Sequence, residues 1–196
     1  MEGEGVQASS RGGGTGAVGD GGLRGGADVR AAEVRGGADA SVGAVRVRSA
    51  EPRDLETLTR FAAAMAQETE GKALDGPTLR AGVAALLADP ARGRSFVVER
   101  GGAVVASLML TFEWSDWRNG FWWWIQSVYV EPAERRRGHY RTLHEHVRAL
   151  AAAEPDVCGL RLYVENDNAG AQATYRRMGM HEAPYRIFEE PTRGGR

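Results

Sequence analysis

The chain has 196 residues with 27 Gly, and 14 of those glycines fall in the first 43 positions, a stretch with no Phe, Trp or Tyr. Charge is balanced, 25 Lys and Arg against 26 Asp and Glu, which leaves no electrostatic footprint for nucleic acid or an anionic membrane surface. The one cysteine, Cys158, excludes an internal disulfide and a cysteine-based zinc site. No apolar run nears the about 18 residues of a membrane-spanning helix and the N-terminus lacks a signal-peptide pattern, so a soluble, cytoplasmic protein is expected.

Residues 1–43 bury too little apolar surface to offset the entropy of ordering them, so a disordered tail is expected there. Such a segment reads as a flexible linker or as an upstream region taken in by an early start codon. The expected folded domain is 44–190, with 191–196 as a flexible C-terminus; that length suits one domain with a sizeable core.

From Ala44 the pattern changes. Val45 and Val47 alternate with Arg46 and Arg48, the period-2 mark of a half-buried strand. Pro52 and the acidic residues near it open a helix carrying Leu55, Leu58, Phe61, Ala62 and Met65 at helical spacing, and Pro77 to Ala88 forms a second helix, stopped by Asp89 and Pro90. Ser95 to Glu99 and Ala103 to Phe112 are β-branched-rich strands, with Gly101 and Gly102 supplying the positive φ angles of a tight hairpin. After a polar turn from Ser115 to Gly120, Phe121 to Val130 is apolar at nearly every position and is expected to be a central strand. A helix runs from Gly138 to about Glu154, a strand from Val157 to Val164, a short helix from Asn168 to Met178 closed by Gly179, and a last strand is expected at Tyr185 to Glu189. The order β-α-α-β-β-β-α-β-α-β predicts a mixed α/β fold: a mostly antiparallel sheet of six to seven strands with helices on both faces.

The chemistry concentrates after the central strand. A strand end, a turn with glycine and a helix start aim backbone N–H groups and the positive end of the helix dipole at one spot, an anion site. Arg135, Arg136, Arg137 and Arg141 surround Gly138 and add donors suited to phosphate oxygens; a solvated charge run is the plain alternative.

In this region the chain resembles the GNAT superfamily of N-acetyltransferases, whose acetyl-CoA motif is R/Q-x-x-G-x-G/A. Here it reads Arg135-Arg136-Arg137-Gly138-His139-Tyr140, with Tyr140 where the family usually has Gly or Ala. Downstream, Asn168, Ala171, Tyr175 and Gly179 fit the family's closing pattern N-x-x-A-x-x-x-Y-x-x-x-G, and the resemblance covers about Ala44 to Glu190. It implies a GNAT-like fold and acetyl transfer from acetyl-CoA to a primary amine by direct attack in a ternary complex, the acceptor being a small-molecule or peptide amine. It further implies that the amides of Arg137, Gly138, Tyr140 and Arg141 hold the pyrophosphate. The strand backbone of Val128, Tyr129 and Val130 would pair with the pantetheine arm, and Asn168 would touch the cofactor while also serving as a natural N-cap.

Tyr175 is the candidate general acid for the departing thiolate; a packed aromatic with a satisfied hydroxyl is the other reading. The oxyanion would be met by a backbone N–H near Val128. For the base, the central strand offers only Gln126 and Ser127, which can order a water and line the substrate; Glu113, Asp116 and Glu165 are the nearest carboxylates, with Glu113 favoured and a water chain as the alternative. Trp114 and Trp117 on the turn are expected to meet substrate, while Trp122, Trp123 and Trp124 are expected to pack at least one helix layer. His139, His144 and His146 have no i, i+4 spacing, so no metal is expected. A non-catalytic acetyl-CoA-binding sensor or partner module is the alternative function, and a monomer or homodimer the expected assembly.

Overall fold

The computed structural model describes residues 44–190 and Thr192; the expected N-terminal tail and nearly all of 191–196 lie outside the described residues. Five strands form one sheet in the order β1 (Val45–Ser49), β2 (Arg94–Arg100), β3 (Ala103–Ser115), β4 (Gly120–Val130) and β5 (Val157–Arg161). The first four pair antiparallel, and β5 joins β4 in parallel. Helices α1 (Leu55–Glu70) and α2 (Gly76–Ala88) follow β1, α3 (His139–Ala153) connects β4 to β5, and α4 (Ala169–Arg177) follows β5. The mixed α/β class and the element order hold up to α4.

Three expectations change. Among the described residues Tyr185 to Glu189 form no strand, so the sheet has five strands rather than six or seven; Tyr185, Ile187 and Phe188 stand exposed. The strand expected to run to Val164 ends at Arg161. The aromatic strand β4 is interior but not the middle of the sheet, a place β3 takes.

Alternation sorts the sheet into two faces. Phe96, Val98, Ala106, Leu108, Leu110, Trp123 and Ile125 lie on one, sealed by Leu143, Val147 and Ala151 of α3. Leu143 and Val147 are fully buried, each contributing about 1.5–3 kcal/mol through the apolar area removed from water. Val97, Ser107 and Tyr129 face the other way, where Phe61 of α1 packs its ring 4.8 Å from that of Tyr129.

Between Ser107 and Met109 the β3–β4 register shifts, so that Ser127 and Val128 together oppose Leu108. Ser127 takes a positive φ of 47° at this bulge. The extra residue reverses alternation: Trp124 and Gln126 point to the α1 face, whereas Val128 and Val130 join the α3 core.

A buried ion pair fixes where α1 begins. Arg48 on β1 donates to both carboxylate oxygens of Asp54, at 2.6 and 2.9 Å, and to Glu99 on β2 at 2.9 Å; Asp54 also accepts from the Glu51 amide at 2.8 Å. The Arg48 guanidinium holds the Asp54 carboxyl below the usual carboxylate range. Because the folded-state value is depressed, this stabilisation is complete above the unfolded value of about 3.9 and is lost as pH falls through the folded value. Asp54→Ala leaves Arg48 buried and short of its main partner. It should cost about 3–5 kcal/mol in urea unfolding at pH 7, and the gap to the parent protein should narrow on acidification.

Candidate active site

The site starts from backbone left unpaired. β4 bonds to β5 only from Phe121 to Trp124, the last partners being Trp124 and Arg161. Beyond them the bulged strand continues from Ile125 to Val130 against β3 alone, while the chain after Arg161 leaves the sheet. A β-bulge bends its strand and increases the local twist, which parts β4 from β5 at this point. The result is a fork in which the outer edge of β4, with the main-chain groups of Val128 and the amide of Val130, pairs with no other strand, while Tyr129 faces β3.

That edge runs into the arginine turn. Pro132 to Glu134 form a single 3-10 turn, Arg136 has a left-handed φ of 64°, and Gly138 follows with φ 87° as N-cap of α3. A Cβ at Gly138 would meet nothing within 4 Å, so backbone conformation rather than crowding calls for glycine there. The Gly138 carbonyl accepts from the Thr142 amide and hydroxyl, at 3.0 and 3.2 Å. Among the described residues, no intrachain hydrogen bond occupies the amides of Arg136 through Arg141. Four or more free N–H groups at the positive end of a 15-residue helix form an anion cradle.

The side chains divide their work. Arg135 is spent on architecture: its Nε donates to the Val130 carbonyl at 3.0 Å and its Nη2 to Glu68 of α1 at 2.5 Å, with the guanidinium over the Tyr129 ring. Glu68 also accepts from the Tyr129 hydroxyl at 3.2 Å. Glu134 accepts from Arg100 at 2.8 Å and lies 3.0 Å from His139 Nε2, which holds its carboxyl below the usual range. Thus His139 and Tyr129 turn their side chains inward and leave only backbone to a ligand, whereas Arg136, Arg137 and Arg141 are exposed.

Tyr140 turns its ring inward as well. It meets the rings of Tyr175 at 5.8 Å and His144 at 6.0 Å, and burial raises its phenol well above the ordinary value. Tyr175 on α4 is likewise raised by burial, so it stays protonated at neutral pH. Asn168 caps α4 by accepting from the Ala171 amide at 3.0 Å.

On the α1 face, directly across the fork, an open cavity of about 410 Å³ is lined by Thr111, Glu113, Trp124, Gln126, Tyr163 and Ile187, among others. Gln126 donates to Thr111 at 2.5 Å and accepts from the Tyr163 hydroxyl at 3.3 Å, so its amide is fixed. Glu113 accepts from Arg161 at 2.9 and 3.1 Å and from the Trp124 indole at 2.5 Å. Arg161 in turn stacks 4.0 Å above Trp122. Glu113 and Gln126 therefore line one cavity on the same sheet face, with Trp124 between them in the register. Trp114 and Trp117 do not join them: Trp114 packs edge-on against Phe121, and Trp117 is 87% exposed in the hairpin turn. Ser127 sits at the bulge.

Sequence reasoning missed Trp124, Arg161, Tyr163, Ile187 and Glu68. The even spacing of Trp122, Trp124 and Gln126 was a usable signal for the first; the others depend on where the chain goes after β5 and on how α1 lies. Among the described residues no group of three or more His, Cys, Asp or Glu is placed to hold a metal ion, and no helix is long and apolar enough to cross a membrane.

Comparison with known proteins agrees with this geometry. The sequence model of the acetyltransferase (GNAT) family matches residues 59–180. Among solved structures, a possible acetyltransferase from Clostridium difficile 630 is 41% identical, with 76% of this chain and 99% of that chain covered and a TM-score of 0.73. A GCN5-related N-acetyltransferase from Ralstonia eutropha JMP134 is 26% identical over 77% of this chain and 100% of that one, TM-score 0.61. A ribosomal-protein-alanine N-acetyltransferase from Brucella melitensis biovar Abortus 2308, at 18% identity over 78% of this chain and 100% of that chain, shares the fold with a TM-score of 0.62. No curated protein sequence matches. The family match over most of the folded part, together with the 41% relative, establishes that the chain belongs to the GNAT acetyltransferase family.

Proposed function

We propose that the protein is an N-acetyltransferase that takes its acetyl group from acetyl-CoA and passes it to a primary amine while both are bound. The observation that carries this reading is the fork: a free β4 edge that leads straight into a turn of unpaired amides. An extended amide-bearing arm ending in a pyrophosphate matches both parts, the arm adding to the strand edge and the anion seated on the helix N-terminus.

Acetyl-CoA supplies the acetyl group as a thioester, activated toward amine attack. Within the chain, the amides of Arg137, Gly138, Tyr140 and Arg141 hold the pyrophosphate, with Arg136, Arg137 and Arg141 adding charge. Val128 and Val130 bind the arm, and an N–H near Val128 donates to the carbonyl oxygen as negative charge develops there. The acceptor amine lies in the cavity on the α1 face, its body against Trp124, Tyr163 and Ile187. Glu113, whose strand partner Trp122 lies six residues before Val128, receives the proton the amine loses through a chain of ordered water. Two hydrogen-bond donors occupy its carboxylate without exhausting its lone-pair sites. Tyr175 donates its phenolic proton to the sulfur as the C–S bond breaks, a role suited to a phenol that burial keeps protonated.

Three outcomes test this. Calorimetry should show acetyl-CoA binding that weakens tenfold or more in Gly138→Asp, which strains the left-handed position and puts a carboxylate beside the phosphates; absence of binding to the parent protein overturns the reading. Tyr175→Phe should lower kcat by about 10²- to 10⁴-fold with the acetyl-CoA Kd nearly unchanged, whereas an unaltered kcat would make Tyr175 structural. In an amine screen followed by thiol release, Glu113→Gln should lower kcat about 10²-fold or more at neutral pH; release without any amine preference would favour a sensor that merely binds acetyl-CoA.

A further inference from the structure

The cavity of about 410 Å³ on the α1 face is held open by its own hydrogen bonds. The rings of Trp124 and Tyr163 lie 5.8 Å apart, centre to centre, at an interplanar angle of 49°. The Trp124 indole N–H donates to Glu113 and the Tyr163 hydroxyl donates to Gln126, so the polar tip of each ring is tied and the space they line stays open. Tyr163 is 59% exposed, and Ile187 on the same wall is 62% exposed. Apolar surface fixed in this way around one space is stabilised by an apolar body that covers it.

The polar groups of the wall exclude most bodies an amine could carry. Gln126 donates to Thr111 and accepts from Tyr163, and Glu113 accepts from Trp124 and Arg161. Each polar side chain lining the cavity thus already has a partner. A ligand covered in hydroxyls or amides, such as an aminosugar or a peptide, would give up its water for groups already engaged. The same pairing disfavours a polycation. Glu113 is the one charged side chain among the described residues that line the cavity, and Arg161 pairs with it at 2.9 Å. Arg161 also sets its own cation 4.0 Å from the Trp122 ring centre and 5.8 Å from that of Trp124, so a second ammonium would meet a guanidinium at that end of the wall. A flat apolar body meets none of these costs. An aromatic ring packed on tilted rings also gains beyond its buried area, whereas an aliphatic body gains area alone.

Position sets the distance from ring to amine. Trp124 and Gln126 are successive positions on one sheet face, about 6–7 Å apart along the strand, and Gln126 lies on the side of Val128, where the donor carbonyl is seated in the reading above. A ring over Trp124 and Tyr163 reaches an amine level with Gln126 through a chain of about two or three carbons. We infer that the acceptor is a primary monoamine joined by a short alkyl chain to a flat aromatic ring, with Tyr163 and Ile187 selecting the ring. The inference rests on the acetyltransferase reading and specifies its acceptor.

The test follows thiol release from acetyl-CoA by the full chain with phenylethylamine, cyclohexylethylamine, spermidine, glucosamine and trialanine. The kcat/KM for phenylethylamine should exceed that for cyclohexylethylamine, which has the same carbon count without the aromatic ring, on the order of tenfold. The other three should be poorer still. Tyr163→Leu keeps apolar bulk at an exposed position and removes the ring; it should bring the ratio of the two ring amines toward unity with the acetyl-CoA Kd unchanged. Equal parent values for the two ring amines, or a higher value for spermidine, glucosamine or trialanine, overturn the inference and leave the acetyltransferase reading standing. Transfer to none of the panel also overturns the inference, and absence of acetyl-CoA binding overturns the acetyltransferase reading with it. A ratio that survives in Tyr163→Leu overturns the assignment of ring selection to that wall.

Discussion

Every part of the candidate site depends on main-chain hydrogen bonds that β4 does not make. Backbone N–H and C=O groups inside a sheet are almost always paired, because each one buried without a partner forfeits the bond water would have given it. β4 meets that demand on both sides only as far as Trp124. Past the Ser127 bulge its outer edge has no strand, and the same bulge turns Val128 and Val130 into the core beneath α3. One inserted residue thus opens an edge and anchors it, so the open backbone is held rigid and shows a fixed row of donors and acceptors.

The arginines beyond that edge are not equivalent despite their adjacency. Arg135 is committed to Glu68 and to the Val130 carbonyl, tying the strand end to α1 and setting the angle at which the turn departs. Its partner oxygens quench its charge, leaving the anion cradle to backbone amides and to the exposed guanidinium groups after it. A run of three arginines in the sequence therefore resolves into one strut and two exposed cations, of which Arg137 lies 3.6 Å from the Glu134 carboxylate. Glu134 does related work from the other side by clamping Arg100 and His139.

Much of this was legible from the residues, and the illegible remainder has a common cause. Local patterns locate α1 to α4 and the first four strands, since periodicity, Pro52, Gly101 and Gly138 act over a few positions, although β3 runs three residues past Phe112 to Ser115 and α1 continues beyond Met65 to Glu70. The glycine turn was visible because positive φ and helix starts leave local marks. The end of β5 at Arg161 was not, because Leu162 to Val164 continue a good strand pattern and only the bend of β4 takes their partner away. Tyr185 to Glu189 failed for the same reason: strand propensity is realised only against a neighbouring edge. The cluster of Glu113, Trp124, Gln126 and Arg161 joins residues from three strands whose register no single segment encodes.

Tyr140 shows how a departure from the family pattern is absorbed. A side chain directed outward from the first turn of α3 would cover the amides that face the anion. Here the ring lies inward, between His144 one turn along and Tyr175 on α4, so the amides stay open. The hydroxyl is buried without a partner, a cost of about 1–3 kcal/mol. Ring burial and edge-on contact with Tyr175 offset it, the contact contributing about 0.5–1.5 kcal/mol beyond its area. That contact also joins the two ends of the proposed chemistry: the residue whose amide faces the pyrophosphate is the one that packs the general acid. The position of Tyr175 is then coupled to the turn through one aromatic pair, and the bulk at Tyr140 becomes a means of holding the acid in register with the helix that seats the donor.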